Sequence, residues 1–331
     1  MTGTPAASAA ADPATPLIGT RTVVFALLRE DGTVDGGELY AVADALGMTD
    51  QQIRLCVKRL VGEGRFTQEG RGRKTVLRAT ADPTGAVAPD VEYVRHAYRQ
   101  DHGLAPWDGT WHLFAFAIPE TARHARDALR DALLHLGATP LQGGLYVAAN
   151  AIGPIVEAHA RDLGVLPSLT SLTSRDLRVG EEDDPVRLAA VLWPLQAVAD
   201  RHEALADLAA TRLARLTGAV RPTGTERLTY AIELAAAFTT AMRPDPLLPP
   251  ELLPQPWPGT RARALAARCW EALDDLEDGE RGRLRLFRLY EDTRTPPRPD
   301  PGSRETRPAP SGGTPHGPPA PPGDVMGSPS R

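Results

Sequence analysis

Cysteine is scarce: the 331 residues hold two, Cys56 and Cys269, with no C-x-x-C and no Cys/His spacing of the kind a structural zinc site uses. The pair reads as two reduced thiols of a cytoplasmic protein. Long apolar runs are missing too, and none approaches the roughly 20 residues that span a bilayer. The N-terminus is rich in Ala, Thr and Pro, without the basic start or apolar core of a secretory signal. The signatures of common chemistries are equally absent: there is no G-x-S-x-G, no Walker loop and no dinucleotide fingerprint. These absences argue against an enzyme, a bound cofactor, a metal site and a membrane partner. Neither sign of charge dominates the whole chain, whose formal net charge is -5.

Proline, by contrast, is abundant at 32 residues and concentrates at the two ends. Residues 1–16 and 293–331 have few large apolar side chains, so they cannot bury enough surface to offset ordering entropy and read as disordered tails.

Met48 to Arg78 is the most informative stretch. Thr49 and Gln52 form a T-x-x-Q capping box, which starts a helix. Ile53, Val57, Leu60 and Val61 recur at helical spacing and mark its buried face. Asp50, Gln51, Arg54, Lys58 and Arg59 are left pointing away. Gly62 and Gly64 end the helix, because glycine takes positive φ without a Cβ clash. Phe66-Thr67-Gln68 and Thr75-Val76-Leu77 then read as two short strands around the tip Gly70-Arg71-Gly72-Arg73-Lys74. From Arg54 to Arg78 the bases are Arg54, Lys58, Arg59, Arg65, Arg71, Arg73, Lys74 and Arg78, against two acids, Glu63 and Glu69. A basic patch on an acidic chain is the footprint of a polyanion site. A helix followed at once by a basic hairpin is the second half of a winged helix-turn-helix, with the helix suited to the major groove and the hairpin to flanking phosphates.

The neighbouring segments extend this pattern. Thr20 to Arg29 and Glu38 to Leu46 read as two helices, with Gly47 in the turn before Thr49, so residues 17–80 form a winged helix-turn-helix domain. Residues 81–105 are a linker with a helix over Pro89 to Gln100. Residues 106–180 alternate as β-α-β-α-β. The strands fall at Trp111–Ile118, Leu141–Ala149 (a strand or a glycine-bent hairpin) and Leu169–Val179, and the helices at Thr121–Leu136 and Ile152–Leu163. This is the order of a ferredoxin-like α/β sandwich. Residues 181–292 read as a helical C-terminal domain, with helices at Asp184–Leu216, Thr225–Met242, Thr260–Leu276 and Arg281–Tyr290. A Pro-Leu-rich crossing runs from Pro244 to Pro258. The fold class is α+β.

Three stretches carry a resemblance. The first is the winged-helix region. The second is Trp107-Asp108-Gly109-Thr110-Trp111-His112-Leu113 through Ile118-Pro119-Glu120, then Leu136-Gly137 and Gly144-Leu145-Tyr146-Val147. The third is Asp245-Pro246-Leu247-Leu248-Pro249-Pro250-Glu251-Leu252-Leu253-Pro254 followed by Trp257-Pro258-Gly259. In these the chain resembles the PaaX family of bacterial repressors of phenylacetate-type catabolism, over about Leu17 to Leu276. The resemblance implies a homodimer that binds double-stranded operator DNA and is released by an acyl-CoA thioester, with phenylacetyl-CoA the prototype.

On the DNA side the expected contacts are Gln51, Gln52, Arg54, Lys58 and Arg59 from the helix and Arg71, Arg73 and Lys74 from the tip. Arginine pairs bidentately with guanine and glutamine with adenine. Gln52 has two candidate roles, cap and base reader, and Arg59 has base or phosphate. For an acyl-CoA effector, which needs cations beside an apolar slot, the candidates are Trp193, Tyr230, Arg261 and Trp270. Trp257, Arg243, Arg263 and Arg268 lie near them in sequence. Two rival readings stand beside the regulator. One is a winged-helix scaffold for protein partners. The other is a metal-dependent nuclease on the ferredoxin-like unit, whose first strand here ends in Ala117-Ile118-Pro119-Glu120 without the Asp such an enzyme places there.

Overall fold

The computed structural model describes residues 18–80, 90–275 and 282–294. The expected N-terminal tail, the short loop at 82–88 and the C-terminal tail after residue 294 lie outside these. The described residues belong to one compact unit that runs to Pro296, and helices and two antiparallel sheets make it an α+β structure.

The first helix, α1 (Thr20–Ala26), stops earlier than the sequence suggests. The Arg29 amide donates to Thr33 O at 2.9 Å and closes a turn, while Leu27 and Leu28 remain in the core. That turn leads into a strand the sequence did not reveal, β1 (Thr33–Asp35). It is three residues long and owes its place to tertiary pairing: Val34, fully buried, lies opposite Leu77. Asp35 then caps α2 (Gly36–Ala45) by accepting from the Glu38 amide at 2.8 Å. The capping box at α3 (Asp50–Gly62) forms as expected. Thr49 N donates to Gln52 Oε1 at 2.8 Å, and Gln52 N donates to Thr49 Oγ1 at 3.3 Å. Ile53, Val57 and Leu60 face the core. Strands β2 (Phe66–Glu69) and β3 (Val76–Ala79) complete an antiparallel sheet in the order β1-β3-β2.

After α4 (Val91–Asp101) comes a four-stranded unit. Its elements are β4 (Trp111–Phe116), α5 (Arg123–His135), β5 (Thr139–Gln142), β6 (Leu145–Ala148), α6 (Gly153–Asp162) and β7 (Leu169–Ser174). The glycine bend resolves as a hairpin: Gly143 and Gly144 both take positive φ between β5 and β6. The motif is therefore β-α-β-β-α-β, with strand order β5-β6-β4-β7 and every pairing antiparallel, a ferredoxin-like arrangement. Both faces are covered. Phe114, Tyr146 and Ala148 pack with Leu129, Leu133 and Val156 on one side. Trp111, Leu113 and Val147 pack with Leu188 and Trp193 on the other.

The C-terminal helices are α7 (Pro185–Leu192), α8 (Leu195–Leu216), α9 (Gly224–Met242), α10 (Pro258–Asp274) and α11 (Arg285–Arg294). The single helix expected over Asp184–Leu216 is two. Pro194 forces the residue before it out of the helical region, and Trp193 takes φ -115, ψ 145. The apolar core of α1, α2 and α3 runs without interruption into α8, α9, α10 and α11. Main-chain bonds reinforce this join: Glu30 N donates to Arg283 O and Arg285 N to Leu28 O, each at 2.9 Å.

A buried polar node sits where α4, α8, α10 and the crossing at 243–257 meet. Asp245 Oδ2 lies 2.7 Å from Nε2 of His202, a side chain with no solvent exposure, and 3.5 Å from Arg263 Nη1. Arg263 also donates to both Asp101 oxygens, at 2.6 and 2.7 Å. Burial works against its charge, but the Asp101 carboxylate outweighs that, so its pKa is raised. Asp245 Oδ1 accepts from the Leu247 amide at 2.8 Å, which holds Leu247 at φ 49. The Leu247 carbonyl accepts from Gln100 and Asn150, each at 2.8 Å. Replacing Arg263 with Met leaves two buried carboxylates without their counter-charge. We expect a loss of about 3–5 kcal/mol in urea unfolding. Gly137→Ala should also destabilise, because Gly137 has φ +86 and an added Cβ would sit 2.4 Å from the Pro246 carbonyl oxygen.

Candidate nucleic-acid interface

The outward side of α3 carries Gln51, Gln52, Arg54, Leu55, Lys58 and Arg59, all exposed. The turn joining β2 to β3 carries Arg71, Arg73 and Lys74, also exposed, and brings Arg71 to the cleft that Arg54 and Lys58 line. Two glycines shape that turn. Gly70 takes φ +79, and a Cβ there would lie 2.6 Å from Lys74 O, while Gly72 takes φ +59 and opens a single 3-10 turn, Gly72–Lys74. The turn is anchored to α2, because the Gly36 amide donates to Thr75 O at 2.7 Å. That contact requires glycine at 36, where a Cβ would come within 2.6 Å of the same oxygen. The role of Gly36 was not visible in the sequence, where it only precedes the second helix.

Between α2, α3 and the turn lies an open cleft of about 400 Å³. Leu39, Tyr40, Val57 and Val61 line its floor, and Arg54, Lys58 and Arg71 stand around it. Gln68 and Thr75 also reach it, with Gln68 Nε2 3.4 Å from Thr75 Oγ1. Leu39, Tyr40, Gln68 and Thr75 were not among the sequence candidates. They fall there in the second helix and in the two strands, and only the docking of the turn against α2 brings them beside the cations.

Charge pairing leaves this face positive. The two acids of the span are both engaged: Glu63 pairs with Arg21 at 2.8 Å and Glu69 with Arg78 at 3.3 Å. Arg54 reaches Asp50 only at 3.7 Å, with both side chains largely exposed, a weak attraction. Among the described residues, Gln51, Lys58, Arg59, Arg71, Arg73 and Lys74 make no side-chain hydrogen bond or ion pair. Gln52 spends its side-chain oxygen on the cap of α3.

The effector candidates occupy different surroundings. Trp193 stacks on Trp111 at 6.2 Å and donates its indole N–H to Gly137 O at 3.0 Å, in the apolar layer over the four-stranded sheet. Trp270 stacks on Tyr290 at 4.1 Å inside the other core. Tyr230, half-buried at the edge of that core, lies under the Arg212 guanidinium at 4.7 Å from the ring centroid. Arg261 is exposed on α10, and Arg263 is the buried partner of Asp101.

Glu120, at the end of the first strand of the sheet unit, pairs with Arg126 at 2.7 Å and Arg123 at 3.8 Å. Among the described residues no group of three or more His, Cys, Asp or Glu side chains could hold a metal ion. Nor is any described helix long and apolar enough to cross a membrane.

Comparison with known families bears on the same chain. Residues 104–186 match the model of the PaaX protein central Cas2-like domain, and residues 193–279 match that of the PaaX-like protein C-terminal domain. The chain belongs to the PaaX family. The two matches cover the four-stranded unit and the helices α8, α9 and α10, so the PaaX assignment rests on these and not on the basic face. No curated protein matches the sequence. Among solved structures, an uncharacterized protein from Mycobacterium tuberculosis is 21% identical, with 77% of this chain and 95% of that chain covered and a TM-score of 0.43.

The cap of α3 provides a direct check on how this face is held. Thr49→Ala removes the acceptor for Gln52 N and releases the Gln52 side chain, and we expect a loss of about 1 kcal/mol in chemical denaturation.

Proposed function

We propose that this PaaX-family chain is a sequence-specific DNA-binding transcriptional regulator, with residues 17–80 acting as a winged helix-turn-helix. The observation that carries the reading is the convergence of unpaired cations. Lys58 and Arg71 stand with Arg54 around one cleft between α3 and the β2–β3 turn, and Arg59, Arg73 and Lys74 are exposed on the same two elements. The acids in that span are neutralised by Arg21 and Arg78. A helix of this kind fits the major groove, with Gln51, Arg54 and Lys58 toward base edges, while the turn meets phosphates or the minor groove. Gln52 and Arg59 support the docking. The open cleft between helix and turn, with three cations around it, suits one strand of the phosphate backbone.

Membership of a family of regulators supports this reading over an enzyme or a protein-binding scaffold. In the fuller form of the proposal the chain is a homodimer that represses an aromatic-acid catabolic operon, and an acyl-CoA thioester such as phenylacetyl-CoA releases it from the operator. This part draws on the resemblance of the W-D-G, L-G and D-P-L-L-P-P-E-L-L-P stretches to the family.

The test is titration of the purified protein against the DNA upstream of its own gene, at two salt concentrations, with and without phenylacetyl-CoA. Specific binding relieved by the thioester supports the whole proposal. Specific binding indifferent to it retains the regulator and removes that inducer. No binding at low salt overturns the reading in favour of a scaffold. The triple variant Arg71→Ala, Arg73→Ala, Lys74→Ala should bind all sequences more weakly, with the slope of log affinity against log salt reduced by about 1 per lost phosphate contact. Arg54→Ala or Lys58→Ala should instead erode preference for the operator over random DNA, by about 1–3 kcal/mol where a base contact is lost. Fluorescence anisotropy with specific and random duplexes separates the two classes.

A further inference from the structure

Leu55 stands in the middle of the polar side of α3 and is 55% exposed. Among the described residues from 18 to 80 it is the one large apolar side chain so exposed. A solitary exposed leucine is ordinary on a protein surface. What distinguishes Leu55 is its frame. On a helix its neighbours are the residues three and four positions away, which here are Gln51 and Gln52 on one side and Lys58 and Arg59 on the other, all exposed. The apolar face of α3, with Ile53, Val57 and Leu60, is already buried against the core. Leu55 therefore has no packing role in the fold, yet it occupies the centre of the surface whose rim is made of polar and cationic groups.

The major groove offers one apolar recognition element, the 5-methyl group of thymine, which projects beside the polar edge of its base pair. A glutamine that takes adenine bidentately from the turn before Leu55 would bring this side chain over the adjoining base step, where a thymine would present its methyl group. Resting on the DNA-binding reading above, we propose that Leu55 is a specificity-determining residue that reads a thymine 5-methyl group in the major groove. Gln51, Lys58 and Arg59 supply the polar contacts around it. The cations bring the helix to DNA of any sequence, and the leucine contributes only where a methyl group fills the space beneath it.

The test begins with duplexes enriched by the protein itself from a random pool. In the best binder each thymidine is replaced singly by deoxyuridine, which removes the methyl group and leaves the base-pairing edge and the phosphates unchanged. Wild-type protein should lose about fourfold in affinity at one or two adjacent positions, the effect of one buried methyl group. Leu55→Ala should bind the unmodified duplex more weakly and show no loss on the same replacements, with its melting temperature unchanged because the side chain is exposed. Wild-type binding indifferent to every replacement overturns the proposal, as does a preferred sequence without thymine in the contacted pairs. A Leu55→Ala variant that keeps the full loss also overturns it, since another residue then reads the methyl group. An altered oligomeric state of the variant with its deoxyuridine response intact assigns Leu55 to a protein contact instead. If no duplex is enriched at all, the regulator reading itself fails, and that outcome is distinct from each of these.

Discussion

Asp245 is the point on which the arrangement of the chain depends. Its carboxylate is buried, faces His202 from α8 and Arg263 from α10, and accepts from the amide of Leu247. Its main-chain oxygen accepts from the Tyr93 hydroxyl of α4. Arg263 extends the node to Asp101 at the end of α4. A buried ion pair adds little net stability, since desolvation consumes most of the Coulomb gain. Its effect is geometric. A displaced helix would strand a charge in the core, so α4, α8, α10 and the 243–257 crossing must meet in one way.

The second and third of the stretches that carry the family resemblance meet near this node. Pro246 presents its carbonyl to Gly137, and Gly137 in turn accepts the Trp193 indole. Trp107 N donates to the Glu251 carboxylate at 3.2 Å. Trp257 turns its ring edge-on to His202, and Gly259 leaves room for the Trp257 indole and the Arg263 guanidinium. These residues lie far apart in the chain and are set by each other. Their pattern is thus a packing constraint on the fold of this chain, distinct from the chemistry of the basic face.

That face follows the opposite logic. Its cations are exposed, five of them (Lys58, Arg59, Arg71, Arg73 and Lys74) without an ion-pair partner among the described residues, and the helix beneath them is held by a cap and by apolar packing. The protein thereby keeps a positive surface at little cost in burial, while the join of α1, α2 and α3 to the C-terminal helices gives that surface a rigid support.

Much of this was legible in the sequence where the cause is local. The Thr49–Gln52 box, the apolar spacing of Ile53, Val57 and Leu60, and the glycine-bounded basic turn all act within a few residues, and each appears where the pattern places it. So does the alternation of strands and helices over 111–174, although the sequence left open whether 141–149 is one strand or the hairpin that Gly143-Gly144 makes. The break at Pro194 was also local, but the apolar periodicity on both sides of it concealed the two helices. What depends on distant partners was not legible. Strand β1 exists because Val34 meets Leu77, and Gly36 matters because the 70–75 turn docks on it. Arg263 is a buried counter-ion because Asp101 and Asp245 converge there. Composition and periodicity determined which segments become helices, strands and charged surface, because those preferences reside in single residues and their near neighbours. Only the tertiary structure decided which charges are spent inside the fold and which remain on its surface, because pairing in space is not set by spacing along the chain.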